Sequence, residues 1–192
     1  MGYFGHQLMA FDSTPGAPAS APVRWPKQTS FTRVAGRKQL LMFVHPECTC
    51  SIASLEQLRN LQKMTAERLD MRVVLWGRPA TNSSGRNWRQ EIGSAALFED
   101  RDGSEARLFG AKTSGQTLIY DEVGNLIYSG GVTVFRGEGG GEPILRRIMQ
   151  TLNNADRRPS LRMPVFGCPI TDPGELASSF EPKIKTWNSH LQ

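Results

Sequence analysis

The sequence predicts an α/β domain with a mixed central sheet flanked by helices, and three observations carry that reading. Residues 39–45 (QLLMFVH) and 71–76 (MRVVLW) are near-continuous apolar runs without alternation, the pattern of strands buried on both faces of a parallel sheet. Between them, from about Ser51, Ile52, Leu55, Leu58 and Leu61 recur at a spacing that gives one broad helical face, so the two strands are joined by a right-handed crossover. Residues 117–121 and 125–129 flank a short turn holding Gly124, a hairpin that adds antiparallel strands to the parallel pair.

Taken in order, residues 1–30 form an arm. Its part from Asp12 to Ser30 is rich in Pro, Ala, Ser and Thr and reads as an extended spacer, with Trp25-Pro26 marking first contact with the folded body. Residues 31–155 are the folded domain. After the second strand, residues 77–87 are loop-like, with Pro79, Asn82 and Gly85. Residues 95–99 make a further short strand, followed by the turn Asp100-Arg101-Asp102-Gly103 and a helix over 104–109. The two aspartates resemble the start of a calcium loop, but Ala111 stands where that loop needs its last carboxylate, so calcium is set aside. The glycine-rich stretch 130–141 lacks the phosphate-loop pattern, and Glu138 and Glu142 would repel phosphate; a mobile loop is expected. Residues 143–153 read as a closing helix with Pro143 in its first turn and Ile144, Leu145, Ile148 and Leu152 inward. Residues 156–192 read as an irregular, proline-punctuated tail, with Val165-Phe166 and Phe180 as packing points; Trp187 has no assignment.

Bulk properties exclude several classes. The 192 residues suffice for one domain plus extensions, and 39% hydrophobic with 21% charged residues is ordinary for a globular protein. The net charge of +5 is scattered; Arg146-Arg147 and Arg157-Arg158 are short and lack interleaved aromatics, so no nucleic-acid partner is expected. No apolar run approaches the roughly 20 residues of a membrane span. Residues 1–10 lack a charged start and do not read as an export signal, and His6 stands where a myristoylation motif wants Ser or Thr.

The chemistry concentrates in His45-Pro46-Glu47-Cys48-Thr49-Cys50, where a strand hands over to a helix. Unpaired N–H groups and the dipole at a helix start favour a thiolate there. Cys48 precedes the helix, so it is expected to be more accessible and more acidic than Cys50. A Cys48–Cys50 bond needs a contorted backbone and should be strained. The third cysteine, Cys168, lies in Phe166-Gly167-Cys168-Pro169. Bonded to Cys50 it would close a loop of about 118 residues, worth roughly 5 kcal/mol of chain entropy; otherwise it remains a semi-buried thiol. His45 either caps the strand end or joins Cys48 and Cys50 around a soft ion such as Cu(I). A structural zinc site lacks a fourth ligand.

The strand, the Pro-containing turn, the cysteine pair and the amphipathic helix together resemble the active-site unit of thioredoxin-like proteins. The form HPECTCSIASLEQL, with Cys-x-Cys in place of Cys-x-x-Cys, resembles the bacterial RedB-type branch, and SGQTLIYDEVGNLIYSGGVT and VFGCP extend the likeness from about Thr14 to Pro169. The resemblance implies a thioredoxin-like fold with the strand–helix insertion of larger redoxins at 95–109. It implies thiol–disulfide exchange outside the bacterial cytoplasm, with Cys48 attacking, Cys50 resolving, and no cofactor. It also implies a protein partner, a membrane protein or complex, since relatives carry an N-terminal anchor or export signal. Two rival functions are a Cu(I)-handling protein using His45, Cys48 and Cys50, and a structural subunit of a membrane complex that keeps the redoxin fold. Pro46 and His45 support the cysteines in this pattern. The position where the pattern carries a cis-proline is Gln116 here. A cis bond before Gln116 would cost about 3 kcal/mol, so a trans peptide is expected, presenting a shallow polar surface beside Cys48 and weak general reductase activity.

Overall fold

β1 (Lys38–Val44) is the middle of the molecule, with every residue from 39 to 44 buried. The structure is a computed structural model and describes residues 13–65, 68–77, 87–138, 140–154 and 160–170. After β1 come α1 (Ser51–Thr65), β2 (Leu69–Trp76), α2 (Trp88–Ile92), β3 (Ala96–Asp100), α3 (Ser104–Leu108), β4 (Gln116–Tyr120), β5 (Leu126–Gly130), α4 (Glu142–Asn153) and β6 (Leu161–Arg162). They form one six-stranded sheet in the order β3-β2-β1-β4-β5-β6. β1 pairs parallel with β2, with Leu40 opposite Met71, and β2 pairs parallel with β3. β4 runs antiparallel to both β1 and β5. The mixed sheet is therefore observed.

β1 shows no alternation because both faces of the sheet are covered. Leu40, Met42 and Val44 face a core shared with Leu55, Leu58 and Leu61 of α1 and Ile144, Leu145, Ile148 and Leu152 of α4. Leu41 and Phe43 face the opposite core, with Leu118, Tyr120, Phe109 and Ala106. The arm completes that second layer through Ala19 and Phe31, and Trp25 stands edge-on to Phe109 and Tyr120 at ring separations of 5.2 Å. Full burial of Phe31 and Phe109 is worth roughly 1.5–3 kcal/mol each.

Several expectations are corrected. Contact between arm and body begins well before Trp25: Gly16 N–H donates to the Val165 carbonyl at 2.8 Å and Ser20 N–H to the Gly110 carbonyl at 3.0 Å. Ile52 is half exposed. Steps of three residues lag a full helical turn, so over three such steps Ile52 lies about half a turn from Leu61. The glycine-rich stretch does not begin as a loose loop, because residues 130–133 are buried beneath the tail. A Cβ on Gly131 would stand 2.9 Å from the Pro164 carbonyl oxygen. The tail is not wholly irregular either. β6 pairs parallel with β5, and Met163 N–H continues the ladder to the Ser129 carbonyl at 3.0 Å.

α2 was not anticipated; Asn87 caps it, its side chain accepting from Gln90 N–H at 3.3 Å. The Asp100-Arg101-Asp102-Gly103 turn has a structural use. Asp100 is buried, and its carboxylate accepts from Glu105 N–H at 3.1 Å and Ala106 N–H at 2.8 Å at the start of α3. Glu105 in turn holds the arm, accepting from Thr29 Oγ1, Ser30 N–H and Ser30 Oγ at 2.6–2.7 Å. Residues 1–10, most of the 77–87 loop, Arg157-Arg158, Phe180 and Trp187 lie outside the described residues. Among the described residues no helix is long and apolar enough to cross a membrane.

Candidate active site

The end of β1 fixes the site. Past Val44 the chain turns, with Cys48 N–H donating to the His45 carbonyl at 3.1 Å and Ser51 N–H to the Cys48 carbonyl at 3.1 Å. α1 then starts at Ser51, so Cys48 sits just before its first turn, where exposed N–H groups favour negative charge. Pro46 is buried in this turn, while Glu47 and Thr49 face solvent. His45 is half-buried. Its Nδ1 accepts from Glu47 N–H at 3.1 Å, and its ring lies 5.3 Å from that of Trp76. It braces the turn and presents only Nε2 for any further contact.

The three cysteines meet here. The Sγ atoms of Cys48, Cys50 and Cys168 all lie within 4.8 Å of one another, and none is in a disulfide. Cys168 arrives on the tail, which runs antiparallel to the strand leading into β4. Thr113 opposes Pro169, Ser114 N–H donates to the Cys168 carbonyl at 2.8 Å, and Ile170 N–H donates to the Lys112 carbonyl at 2.8 Å. Gly167 allows this approach, since a Cβ there would overlap the Ser114 carbonyl oxygen. Arg136 clips the same turn by donating to the Gly167 carbonyl and, at 3.3 Å, to the Thr14 carbonyl of the arm.

The tail changes the expected accessibility. Cys48 is 1% exposed, whereas Cys50 and Cys168 are half-buried, so Cys48 is the less accessible of the pair. A position before the helix left it open on local grounds; the distant tail covers it. The thiol is acidic as expected, but through groups other than the amides of the helix start. The hydrogen bond from the Cys168 thiol is the largest influence, and with the Cys168 N–H and the Ser51 and Ser114 hydroxyls it outweighs burial and holds the Cys48 thiol at about 4. The same bond pushes Cys168, its donor, well above the ordinary thiol value, and burial adds to the rise. Cys50 is raised, by burial first and then by the neighbouring Cys48 charge.

Gln116 does not supply a polar surface beside the sulfur. It is fully buried, its amide nitrogen reaching Ser129 Oγ at 3.4 Å and the Thr117 carbonyl at 3.3 Å, while Oε1 has no partner. Ser114 faces the cysteines instead. Its hydroxyl accepts from His45 N–H at 2.8 Å and shares a hydrogen bond with Ser51 Oγ at 2.8 Å. Sequence reasoning missed Ser114 and Arg136. Ser51, in the place of the usual resolving cysteine, and the Ser114-Gly115 pair before the hairpin were the only local signals.

Comparison with solved structures settles the architecture. A hypothetical protein of Sinorhizobium meliloti 1021 matches 82% of this chain and 93% of its own, at 18% identity and a TM-score of 0.60. A putative thiol:disulfide interchange protein DsbE from Chlorobium tepidum matches 73% of this chain and 99% of its own, at 18% identity and a TM-score of 0.51. A putative thioredoxin from Neisseria meningitidis matches 73% and 94%, at 16% identity and a TM-score of 0.50. The fold is thioredoxin-like. No family model and no curated protein sequence matches the chain. In this thioredoxin-like frame, Cys48 occupies the turn between the central strand and its following helix, and β3 with α3 forms the strand–helix addition at the sheet edge.

Proposed function

We propose that the protein carries out thiol–disulfide exchange outside the bacterial cytoplasm on a dedicated protein partner, with Cys48 as the attacking thiolate. The observation that carries this is the placement of Cys48 just before α1, with the Cys50 and Cys168 sulfurs within 4.8 Å of its own and a thiol value lowered by the Cys168, Ser51 and Ser114 donors around it. A thiolate is the species that attacks a disulfide, and donors at the sulfur keep it present at neutral pH. In the reaction Cys48 Sγ attacks one sulfur of the partner's disulfide, the other partner sulfur leaves as thiolate, and a second thiol of this protein then resolves the mixed disulfide. The likeness to the Chlorobium interchange protein supports disulfide exchange, and the RedB-type form of HPECTC supports the extracytoplasmic setting. The covered sulfur supports a dedicated partner over general reduction. The test is exposure of the reduced protein to glutathione disulfide. Wild type is expected to gain a disulfide, and Cys48→Ser to lose this reaction while keeping its fold; equal reaction by Cys48→Ser overturns the assignment.

A second reading is Cu(I) handling. Three-coordinate ligation with bonds of about 2.3 Å to sulfur sets the sulfurs roughly 4 Å apart. The three Sγ atoms lie within 4.8 Å, with Cys168 rather than His45 as the third member of the cluster. Anaerobic Cu(I) titration against a competing chelator tests it: stoichiometric binding lost in Cys168→Ser and kept in His45→Ala is the expected result.

A further inference from the structure

The resolving thiol need not be the nearest in sequence. Cys48 and Cys50 share one short turn whose hydrogen bonds, His45 carbonyl to Cys48 N–H and Cys48 carbonyl to Ser51 N–H, are both intact. Joining those two sulfurs demands backbone distortion within that turn. Cys168 lies outside that turn, so a bond to it closes no small ring within the turn. It comes from a separate segment, held opposite 112–114 by two backbone hydrogen bonds of 2.8 Å, with its Sγ within 4.8 Å of that of Cys48.

That segment is a fitted part of the fold. Val165, Phe166 and Ile170 are buried, Gly167 fits against Ser114 only because it lacks a Cβ, and Arg136 clips its carbonyl. The tail thus lies as an extended, cysteine-bearing peptide across the backbone edge beside the attacking sulfur. Such an edge pairs with any extended chain, because main-chain groups supply the contacts.

We propose that the tail is an internal substrate mimic, and that Cys168, not Cys50, resolves the mixed disulfide on Cys48. The inference rests on the Cys48 reading above. The tail lifts from 112–114 to admit a cysteine-bearing extended segment of the partner, and the mixed disulfide forms at Cys48. When the tail re-seats, the Cys168 thiolate attacks Cys48 Sγ. The Cys48–Cys168 bond forms, the Cys48–partner bond breaks, and the second partner sulfur leaves as a thiolate that takes up a proton. Two thiols of this protein are oxidised and one partner disulfide is reduced to two thiols. Re-seating is intramolecular, so it competes at high effective concentration with the bound partner segment, and release accompanies resolution. A partner dithiol then reduces the Cys48–Cys168 bond and reopens the cycle.

The test uses the full chain. Reduced protein is mixed with glutathione disulfide, quenched in acid, alkylated, and digested with trypsin, which separates residues 39–59 from residues 163–183. Wild type and Cys50→Ser are expected to yield these two peptides cross-linked, and Cys48→Ser to lose the cross-link. In Cys168→Ser, glutathione is expected to persist on Cys48, with at least tenfold slower resolution than in Cys50→Ser. A bond confined to peptide 39–59, with Cys168 alkylated, overturns the proposal and leaves exchange at Cys48 intact. So does resolution in Cys168→Ser at the wild-type rate. If Cys48 gains neither glutathione nor a protein disulfide in wild type, the exchange reading falls, and this proposal with it. Fragmentation of the wild-type cross-linked peptide between Cys48 and Cys50 names the bridging sulfur, so a folding defect in a serine variant cannot hide the answer.

Discussion

Ser114 and Cys168 are joined by a backbone hydrogen bond of 2.8 Å, and through it the tail becomes part of the active face. One residue thereby does two jobs. The Ser114 N–H holds the tail, while its hydroxyl ties the end of β1, at His45 N–H, to the start of α1, at Ser51 Oγ.

Filling the gap under Gly167 should lift the tail. Gly167→Val places side-chain atoms against the Ser114 carbonyl oxygen. Over-packing of that kind costs on the order of 1–3 kcal/mol, so the uncovered population should rise on the order of tenfold. The alkylation rate of Cys48 is expected to rise to match, and so is insulin reduction, which should be weak in wild type. Unchanged rates in a folded variant would show that the tail does not cover Cys48 in solution.

The pH dependence of stability has a defined sign. The folded-state value of Cys48 is depressed to about 4, so its contribution is full above the ordinary thiol value of 9.0 and is lost as pH falls towards 4. Cys168 is shifted upward and acts oppositely: above about 9 the unfolded chain releases a proton that the folded one keeps, and stability falls. Urea midpoints of the reduced wild type should therefore climb from pH 5 to pH 8.5 more steeply than those of Cys48→Ser. Parallel curves would remove the Cys168-to-Cys48 hydrogen bond from the account.

Ser114→Ala removes the acceptor of His45 N–H and a hydroxyl from the Cys48 sulfur. An unpaired polar group at such a site costs about 1–3 kcal/mol. Denaturant unfolding should show that loss, and the alkylation–pH profile of Cys48 should move to higher pH. A stability loss without the profile shift would make Ser114 purely structural.

Asp100 offers a control remote from sulfur. Asp100→Ala leaves Glu105 N–H and Ala106 N–H without their acceptor and should cost about 0.5–2 kcal/mol, as lost helix caps do. The rate of glutathione exchange at Cys48 should stay at the wild-type value. A fall in both would indicate that the edge addition and the sulfur site unfold together.

Much of the framework was legible locally. The apolar run of β1, the leucine periodicity of α1 and the glycine turn between β4 and β5 each report their own element, because strand and helix periods are written over a few neighbouring residues. The place of Cys48 at a helix start followed from the same patterns; its acidity was expected from that place but comes from the Cys168, Ser51 and Ser114 groups. Tertiary structure alone decided what surrounds the sulfur. Local pattern at 163–170 gave no sign that this segment pairs with 112–114, since such short extended stretches have no period to read. From that pairing follow the burial of Cys48, the arrival of Cys168 and the hydrogen bond that sets the thiolate. Gln116 and Ile52 were misplaced for a related reason: whether a side chain faces core, solvent or sulfur depends on which segments pack over it. The sequence by itself determined a cysteine on a central strand–helix turn. Long-range packing decided that a thiol some 120 residues further along the chain stands beside it, because only folding brings segments that distant within 4.8 Å.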